Sequence, residues 1–295
     1  MNKRILVTGA CGQLGNEMQL QARENRQHCW FFTDITSVDD GTTIVTPLDI
    51  TDPEAVSNFV GTNVIDIIVN CAAYTAVDRA EGDEEKAFLL NATAPGFLAE
   101  AIERCGGQLI QISTDYVFDG TAHIPYTEEQ PTCPNSAYGR TKLAGEEVVL
   151  EANPQAMIVR TAWLYSRFGH NFVKTMLHLG REKTQLGVVF DQIGTPTYAR
   201  DLAKVIMTAI NTGVQPGVYH FSNEGVCSWY DFTKAIHRLA GITTCHVRPL
   251  HTSEYPAPAP RPHYSVLDKT KIKQAYNLEI PHWEDSLKEC LKDLK

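Results

Sequence analysis

Apolar residues follow two different spacings along the first half of the chain. Short continuous apolar runs alternate with longer stretches in which apolar residues recur every three to four positions. The first spacing is typical of a buried strand and the second of an amphipathic helix. The predicted strands cover residues 4–8, 30–33, 43–45, 65–69, 108–113 and 156–160, and the predicted helices cover residues 13–23, 53–59, 85–104 and 136–151. This alternation predicts an α/β fold with a Rossmann-type, doubly wound parallel sheet.

The pattern becomes less regular after Arg160. Residues 171–181 and 199–211 are predicted helices, residues 184–189 form a predicted short strand, and prolines crowd residues 256–260. A segment so rich in proline is neither a central strand nor a helix, so we predict an ordered loop there. The predicted organisation is a dinucleotide-binding domain of residues 1–160 plus about 197–215, and a smaller C-terminal substrate domain of about residues 161–196 and 216–295.

Composition and charge exclude several classes of partner. The 295 residues carry a net charge of −9, and no stretch clusters Lys and Arg as a nucleic-acid surface requires. The eight cysteines include no Cys-x-x-Cys pair, and no apolar run is long enough to cross a bilayer. The chain enters its first predicted strand at Arg4 without a signal-peptide pattern. We therefore expect a cytoplasmic protein that binds neither nucleic acid nor a membrane.

A glycine-rich loop stands between the first predicted strand and the first predicted helix. Its spacing is G-x-x-G-x-x-G, from Gly9 to Gly15. Glycines permit a tight turn and close approach of backbone N–H groups to a pyrophosphate, and the helix N-terminus adds partial positive charge. Three glycines also fit an ordinary tight turn, but their place at the first strand–helix junction favours a dinucleotide. The predicted contact residues are Gly9, Cys11, Gly12, Gln13, Leu14 and Gly15.

Residues after the second and third strands predict the adenosine half of a nicotinamide cofactor site. A carboxylate at Asp34 would accept the ribose hydroxyls and repel a 2′-phosphate, and no Arg stands between residues 33 and 43 to bind that phosphate. This arrangement favours NADH, whereas a solvated Asp34 would leave NADPH open. The connection of residues 37–46 also places Asp39 and Asp40 beside this pocket. The predicted contacts are Asp34, Ile35, Asp49 and Ile50.

Tyr138 and Lys142 form a Y-x-x-x-K pair at the start of a predicted helix, and Thr114 ends a predicted strand. Residues four apart lie on one helix face, so the phenol and the ammonium are predicted to face one cleft. An ammonium about 4–5 Å away is worth roughly 3–4 kcal/mol, which predicts a phenol pKa lowered by about two to three units. The pair would then protonate the alkoxide left by hydride transfer to a ketone, with Lys142 also reaching the nicotinamide ribose. Alone, the motif also fits an exposed helical pair.

Several segments resemble known enzymes. The G-x-x-G-x-x-G spacing with the Thr-Tyr-Lys set is similar to the extended branch of the short-chain dehydrogenase/reductase superfamily. Within it, five further segments resemble the dTDP-4-dehydrorhamnose reductase family, and these are residues 70–78 (NCAAYTAVD), 113–120 (STDYVFDG), 160–165 (RTAWLY), 191–197 (DQIGTPT) and 261–268 (RPHYSVLD).

The resemblance implies a reaction and a set of contacts. It implies reduction of the 4-keto group of dTDP-4-dehydro-L-rhamnose to dTDP-L-rhamnose by NADH or NADPH. The implied nicotinamide contacts are Ala72, Ala73, Tyr74, Tyr138 and Lys142. The implied contacts of the dTDP-linked keto sugar are Thr114, Asp115, Tyr138 and Trp163, with Arg261 at the diphosphate. Trp163 also fits a core position, and Arg261 also fits an ordinary surface charge.

Two alternatives stay open beside this function. The sugar pocket residues also fit a reductase of another nucleotide-linked keto-deoxy sugar, and the fold also occurs in non-catalytic regulatory subunits. The dehydratases of the same branch carry Asp-Glu after the Thr, whereas Tyr116 holds the Glu place here, which argues against elimination of water. Some family members are reported to bind magnesium near a dimer contact. Glu17 falls at such a position, but a carboxylate there also fits plain surface, so no metal is predicted and a homodimer through the first helix is left open.

Overall fold

The computed structural model describes residues 2–39 and 41–294, and strands alternate with helices along most of this length. The strands are β1 (Arg4–Thr8), β2 (Cys29–Asp34), β3 (Val38–Asp39), β4 (Ile44–Pro47), β5 (Ile67–Asn70), β6 (Gln108–Thr114), β7 (Met157–Thr161), β8 (Leu164–Tyr165), β9 (Gln185–Val189), β10 (Ile193–Gly194), β11 (Thr197–Tyr198), β12 (Gly217–His220), β13 (Cys227–Ser228) and β14 (His246–Leu250). The α-helices are α1 (Gln13–Glu24), α2 (Pro53–Thr62), α3 (Val77–Ala80), α4 (Glu84–Phe88), α5 (Ala94–Arg104), α6 (Ala137–Ala152), α7 (Phe172–Glu182), α8 (Ala199–Thr212), α9 (Trp229–Ala240), α10 (Thr270–Tyr276) and α11 (Trp283–Lys292).

The central sheet has the order β12-β7-β6-β5-β1-β2-β4-β3. Every neighbouring pair is parallel except the edge strand β3, which runs antiparallel to β4. From β1 the chain builds the sheet first towards β2 and β4, and then from β5 in the opposite direction. A crevice at the carboxyl ends of β1 and β5 follows from this reversal, and ligands bind at such a switch point. The predicted Rossmann-type sheet is confirmed.

Successive side chains of the central strands enter two separate apolar layers. Ile5 and Val7 of β1 pack with α1 and α8 on one face of the sheet, whereas Leu6 packs with α2 and α5 on the other. This alternation follows from the two-residue period of a strand. Because both faces are covered, the strands read as continuous apolar runs in the sequence.

Helix ends follow from the capping residues in the sequence. The Asp52 carboxylate accepts hydrogen bonds from the first turn of α2, and the Ser136 hydroxyl accepts the Gly139 N–H at the start of α6. Asn171 caps α7 in the same way. These caps satisfy backbone donors that a helix leaves unpaired at its amino end.

The predicted helix of residues 85–104 differs from the observed one. A π-helical turn, Leu89–Thr93, separates α4 from α5. At this turn Gly145 of α6 lies so close that a Cβ there would stand 1.9 Å from the Asn91 carbonyl oxygen. The chain stays helical through this turn from α4 to α5, so the sequence predicted one continuous helix without showing where its hydrogen bonding changes.

The C-terminal part contains its own apolar cluster, built on α7, α9, α11 and the β9–β14 pair. Two elements of the range predicted for the substrate domain lie elsewhere, because β12 pairs with β7 in the central sheet and α10 packs against α8. The predicted domain boundaries stay a prediction. The proline-rich residues 256–260 form no helix or strand. Among residues 2–39 and 41–294, no helix is both long and apolar enough to span a membrane.

The contact at Gly145 yields a stability prediction. Gly145→Ala should lower the free energy of unfolding by at least about 2 kcal/mol, because the added methyl group meets backbone that must move. Gly61→Ala is the matched control: it lies in α2 with no atom within 4 Å of its Cβ position, and the change should be neutral or slightly stabilising. Thermal unfolding of both variants checks this, and equal melting temperatures would contradict it.

Candidate active site

The glycine-rich loop joins β1 to α1 by a turn that leaves no room for side chains. Gly9 has a φ of +63°, and a Cβ on it would stand 2.6 Å from the Ala72 backbone nitrogen. A Cβ on Gly15 would stand 2.2 Å from the Gly9 carbonyl oxygen. Gly12 caps α1 without a side-chain hydrogen bond, and the first turn carries no acidic residue. This amino end is therefore a backbone cradle suited to an anion, as the fit of a dinucleotide pyrophosphate requires.

The other predicted loop residues connect this cradle to its surroundings. The Cys11 backbone N–H donates to the Asp34 carboxylate at 2.9 Å. The Leu14 side chain is buried in the core, so only its backbone faces the loop. The Gln13 side chain accepts a hydrogen bond from Asn171 at 3.0 Å, which ties the loop to the start of α7.

Asp34 lies at the carboxyl end of β2, and both of its oxygens accept backbone hydrogen bonds, from Cys11 and from Ile35. Ile35 is 73% exposed beside it, so an apolar surface is available next to the carboxylate. After β4, Asp49 is exposed and accepts hydrogen bonds from Thr51, whereas Ile50 is buried. Asp39 accepts the Gly41 N–H, and Asp40 lies outside the described residues.

The segment after β5 links the glycine-rich loop to the Y-x-x-x-K pair. Ala72 lies against Gly9, and two residues later the Tyr74 ring packs on the same alanine cluster as the Tyr138 ring. The Asn91 side chain holds this segment: its oxygen accepts the Tyr74 N–H at 2.9 Å, and its nitrogen donates to the Tyr74 carbonyl at 3.1 Å. The same nitrogen donates to Thr141 of α6 at 3.1 Å. Asn91 therefore sets the distance between the segment and α6.

Thr114, Tyr138 and Lys142 meet at the carboxyl end of β6. Thr114 is the last residue of β6, and its hydroxyl lies near enough to the Tyr138 phenol to affect the pKa of that phenol. Lys142 lies one turn further along α6, is 3% exposed, and donates from Nζ to the Ile112 carbonyl at 2.6 Å. Both side chains of α6 thus face the same strand, and the structure brings the three predicted catalytic residues together.

The predicted lowering of the Tyr138 pKa is wrong. Burial raises the pKa of Tyr138, and the hydrogen bond of Thr114 opposes this rise only in part. Burial lowers the pKa of Lys142 to about 8, and the Glu146 carboxylate opposes that fall. The cost of removing a phenolate from water outweighs the effect of Thr114 on the Tyr138 pKa. Near neutral pH the phenol keeps its proton and the lysine keeps its charge.

Asp115 and Tyr116 lie directly after Thr114 in a short 3₁₀ turn. Asp115 is 3% exposed and accepts the Thr114 hydroxyl at 2.9 Å. Its second oxygen has no partner of normal geometry among the described residues, although the Ser265 hydroxyl lies near enough to lower its pKa. Burial dominates and raises the pKa of Asp115 to about 6. The Tyr116 ring packs edge-on against the Tyr138 ring, with centroids 5.5 Å apart.

Trp163 follows β7 with a φ of +49°, which is unfavourable for a residue with a side chain. Its indole stacks on Trp229, with centroids 3.5 Å apart and planes at 10°. A Cβ on Gly194 would stand 2.7 Å from the Trp163 ring, so that glycine makes room for the indole. Trp163 is partly exposed rather than a filled core position. Strain of this kind is kept where the surroundings hold a side chain in one place.

Arg261 is not a free surface charge. Its guanidinium donates to Asp78 at 2.8 Å and to the Tyr116 hydroxyl at 3.3 Å. The second oxygen of Asp78 accepts the Ala259 N–H at 3.2 Å. Asp78 therefore attaches the proline-rich loop to the segment after β5, at the mouth of the site.

Comparison with known proteins shows the family of this chain. The family model described as the RmlD substrate binding domain matches residues 3–295. A solved structure of a dTDP-4-dehydrorhamnose reductase from Clostridium acetobutylicum is 44% identical, covers 99% of both chains and has a TM-score of 0.91. This chain belongs to the dTDP-4-dehydrorhamnose reductase family.

Two further relatives extend the comparison. The structure of the dTDP-4-dehydrorhamnose reductase from Bacillus anthracis in complex with NADP is 38% identical, covers 99% of this chain and 100% of that chain, and has a TM-score of 0.88. A Streptomyces antibioticus protein named as a probable dTDP-4,6-dihydroxy-2-methyloxan-3-one 4-ketoreductase is 42% identical over 294 residues, which are 99% of this chain and 95% of the relative.

The acidic position that suggested magnesium in this reductase family does not fit a metal here. Glu17 is fully buried rather than at the surface, and its oxygens accept hydrogen bonds from Ser166 at 2.7 Å and Arg200 at 3.3 Å. Within residues 2–39 and 41–294, no group of three or more His, Cys, Asp or Glu side chains could hold a metal ion. The carboxylate instead joins α1 to α8.

Several residues around this reductase site were not predicted from the sequence. They are Asn91, which spans two segments, Asp78, which pairs with Arg261, Trp229, which stacks on Trp163, and Glu146, which acts on Lys142. Asp78 stands within a segment that resembles the family, and Glu146 continues the four-residue spacing of Tyr138 and Lys142. Those two carried a signal in the sequence, whereas the others depend on contacts between distant segments.

The raised pKa of Asp115 yields a pH-dependent prediction. Its folded pKa of about 6 lies above the ordinary 3.8, so the protonated acid is favoured by folding, and stability falls as pH rises from about 4 through 6. Asp115→Asn resembles the protonated acid at every pH. Its stability relative to wild type should therefore rise by about 1–3 kcal/mol between pH 4 and pH 7.

Urea unfolding at several pH values measures this difference. Asp119→Asn is the control, because hydrogen bonds from Thr121 hold the pKa of Asp119 below its ordinary value and the dependence takes the opposite sign. A stability difference for Asp115→Asn that does not change with pH would show that Asp115 ionises normally.

Proposed function

We propose that this chain reduces the 4-keto group of dTDP-4-dehydro-L-rhamnose to dTDP-L-rhamnose. The observation that carries the proposal is the meeting of Thr114, Tyr138 and Lys142 at the carboxyl end of β6, next to the segment that leads to the glycine-rich loop. A proton donor and a cation there would stand beside the switch point of the sheet, because β6 neighbours β5, and a dinucleotide binds at the switch point in such folds. Simple reduction of a ketone needs one hydride and one proton.

The loop of residues 9–15 fits a nicotinamide dinucleotide, because Gly9 and Gly15 allow a tight backbone turn and the first turn of α1 carries no acidic residue. When bound, this cofactor supplies the hydride. The residues of the chain that would hold it are the loop backbone at the pyrophosphate, Asp34 at the adenosine ribose, and Ala72 to Tyr74 beside the nicotinamide. The NADP-bound relative from Bacillus anthracis supports a cofactor of the NAD(P)H class.

Tyr138 donates the proton in this proposal. Burial keeps the phenol protonated near neutral pH, so the donor form is fully populated. As the substrate oxygen gains negative charge, the phenol transfers its proton, and the Lys142 ammonium stabilises the phenolate that results. The Thr114 hydroxyl lies beside the phenol, and the substrate oxygen would lie between these two hydroxyls.

The sugar and its diphosphate have separate contacts in this proposal. The partly exposed Trp163 indole, held by Trp229, offers a flat apolar face to a 6-deoxy sugar. Asp115 carries a carboxyl oxygen without a hydrogen-bond partner among the described residues, and a sugar hydroxyl would supply one. Arg261 would exchange part of its pairing with Asp78 for the diphosphate. A homodimer and a cytoplasmic location stay predictions.

A second candidate is reduction of a different dTDP-linked keto-deoxy sugar. The observation that favours it is the Streptomyces antibioticus relative, whose name specifies another dTDP-linked keto sugar at 42% identity. A non-catalytic subunit is less favoured, because such a subunit has no need to keep Thr114, Tyr138 and Lys142 together at the carboxyl end of β6.

Steady-state assays with NADH and NADPH in parallel test the proposed substrate and cofactor. We expect dTDP-4-dehydro-L-rhamnose to oxidise both, with kcat/KM about tenfold higher for NADH because the Asp34 carboxylate repels a 2′-phosphate. Asp34→Asn should narrow that ratio, whereas Asp285→Asn, an exposed control on α11, should not. Oxidation of NADH or NADPH only in the presence of another dTDP-linked keto sugar would favour the second candidate. Bound NADH that no keto sugar oxidises would indicate the non-catalytic subunit.

Tyr138→Phe tests the proton donor. It should lower turnover by roughly 10²–10⁴-fold and leave the dissociation constant of NADH nearly unchanged, because only the hydroxyl is lost. Tyr165→Phe is the matched control, since its buried hydroxyl finds no hydrogen-bond partner among the described residues. Stopped-flow turnover and NADH fluorescence titration measure the two effects. A Tyr138→Phe enzyme with wild-type turnover would remove the phenol from the chemistry.

A further inference from the structure

Glu146 continues the helix face that carries Tyr138 and Lys142. It lies four residues after Lys142 on α6, and residues four apart share a face. Its side chain is only 3% exposed. A buried carboxylate is costly unless it is paired, so its partners show what it does.

The Glu146 carboxylate joins three elements of the site. It accepts hydrogen bonds from Nε and Nη2 of Arg160 on β7, with the shortest at 2.6 Å, and from the Ser113 hydroxyl on β6. Ser113 and Arg160 are paired in the register of β6 and β7, and Ser113 precedes Thr114. One carboxylate therefore ties α6 to the carboxyl ends of both strands.

The ion pair alone does not account for this residue. A buried ion pair contributes little net stability compared with well-packed apolar side chains. Lys142 is buried nearby with one hydrogen bond, to the Ile112 carbonyl, and a neutral carbonyl does not balance its charge. The ionisable groups on the packed elements are Tyr138 and Glu146 on α6, Asp115 after β6 and Arg160 on β7. Of these, Glu146 raises the pKa of Lys142 against the effect of burial.

We propose that Glu146 is a positioning residue of the reduction, the counter-charge that keeps buried Lys142 in its ammonium form while fixing α6 against β6 and β7. The proposal rests on the proposed role of Lys142 at the cofactor and the phenol. In this arrangement Arg160 and Ser113 hold the Glu146 carboxylate in place, and the carboxylate in turn keeps Lys142 protonated.

Removal of the carboxylate charge has a defined direction. Burial already brings the pKa of Lys142 down to about 8, and without Glu146 it falls further. The alkaline decline of turnover and of NADH affinity should then begin about one pH unit lower in Glu146→Gln. At pH 8.5 the variant should be about tenfold slower than wild type, whereas at pH 6.5 the two should nearly agree. Glu147→Gln, an exposed neighbour on the same helix, should follow the wild-type profile.

A second variant separates this role from a merely structural one. Glu146→Gln leaves the Arg160 charge buried without its partner, which lowers stability. The double variant Glu146→Gln/Arg160→Met removes both charges and should regain much of the melting temperature. Its turnover and NADH affinity should still begin to decline at the lower pH seen in Glu146→Gln. A double variant that regains the wild-type pH profile would overturn the proposal. If neither variant folds, Glu146→Asp is the deciding variant, because it keeps the carboxylate charge. Its alkaline decline should begin at the wild-type pH, and a decline that begins at lower pH would also overturn the proposal.

The NADH affinity profile keeps this test independent of the substrate. If wild-type protein binds NADH but fails to reduce the keto sugar, the proposed function fails while the pH dependence of binding still reports on Lys142. Lys142→Met tests whether Lys142 causes the alkaline decline of NADH affinity, because this variant should abolish that decline. An NADH affinity profile identical in wild type and Glu146→Gln would contradict the role of Glu146 whatever the substrate.

Discussion

Helix α6 packs against its neighbours so closely that its tightest contact leaves no room for a side chain. At Gly145 the helix lies against the π-helical turn, where even a methyl group would collide with the Asn91 carbonyl. The next residue, Glu146, pairs with β6 and β7. This close packing determines where the amino-terminal half of α6 stands, and it places Tyr138 and Lys142 over the end of β6. The other features of the site depend on that placement.

Burial acts in opposite directions on the two side chains that α6 presents. It raises the pKa of the Tyr138 phenol and lowers the pKa of the Lys142 ammonium, because both effects disfavour the charged form. In the proposed reaction the phenol holds its proton until the substrate oxygen draws it away, and the lysine depends on Glu146 to remain charged. A site of this kind favours proton donation at the moment when charge develops on a ketone oxygen. It does not bring the pKa of the phenol near neutral pH, contrary to what the spacing alone predicted.

Local features of the sequence predicted the sheet and the glycine-rich loop. The apolar spacing of strands and helices and the G-x-x-G-x-x-G spacing are each contained in a short stretch of chain, so both are readable from the sequence. The missed features arise between segments far apart in the chain. Asn91 bonds to Tyr74 and Thr141, and Asp78 reaches Arg261 across 183 positions. The error in the phenol pKa has the same origin, since spacing gives the distance between two charges but not the burial around them.

The most direct measurement is a crystal structure of the complex with NADH. We expect the nicotinamide end beside the segment after β5, with Lys142 Nζ within about 3.2 Å of the nicotinamide ribose hydroxyls and the Tyr138 hydroxyl facing the nicotinamide ring. A nicotinamide ring bound elsewhere, or a Lys142 side chain directed away from the ribose, would contradict the central claim that α6 brings the proton donor and the cation to the hydride carrier.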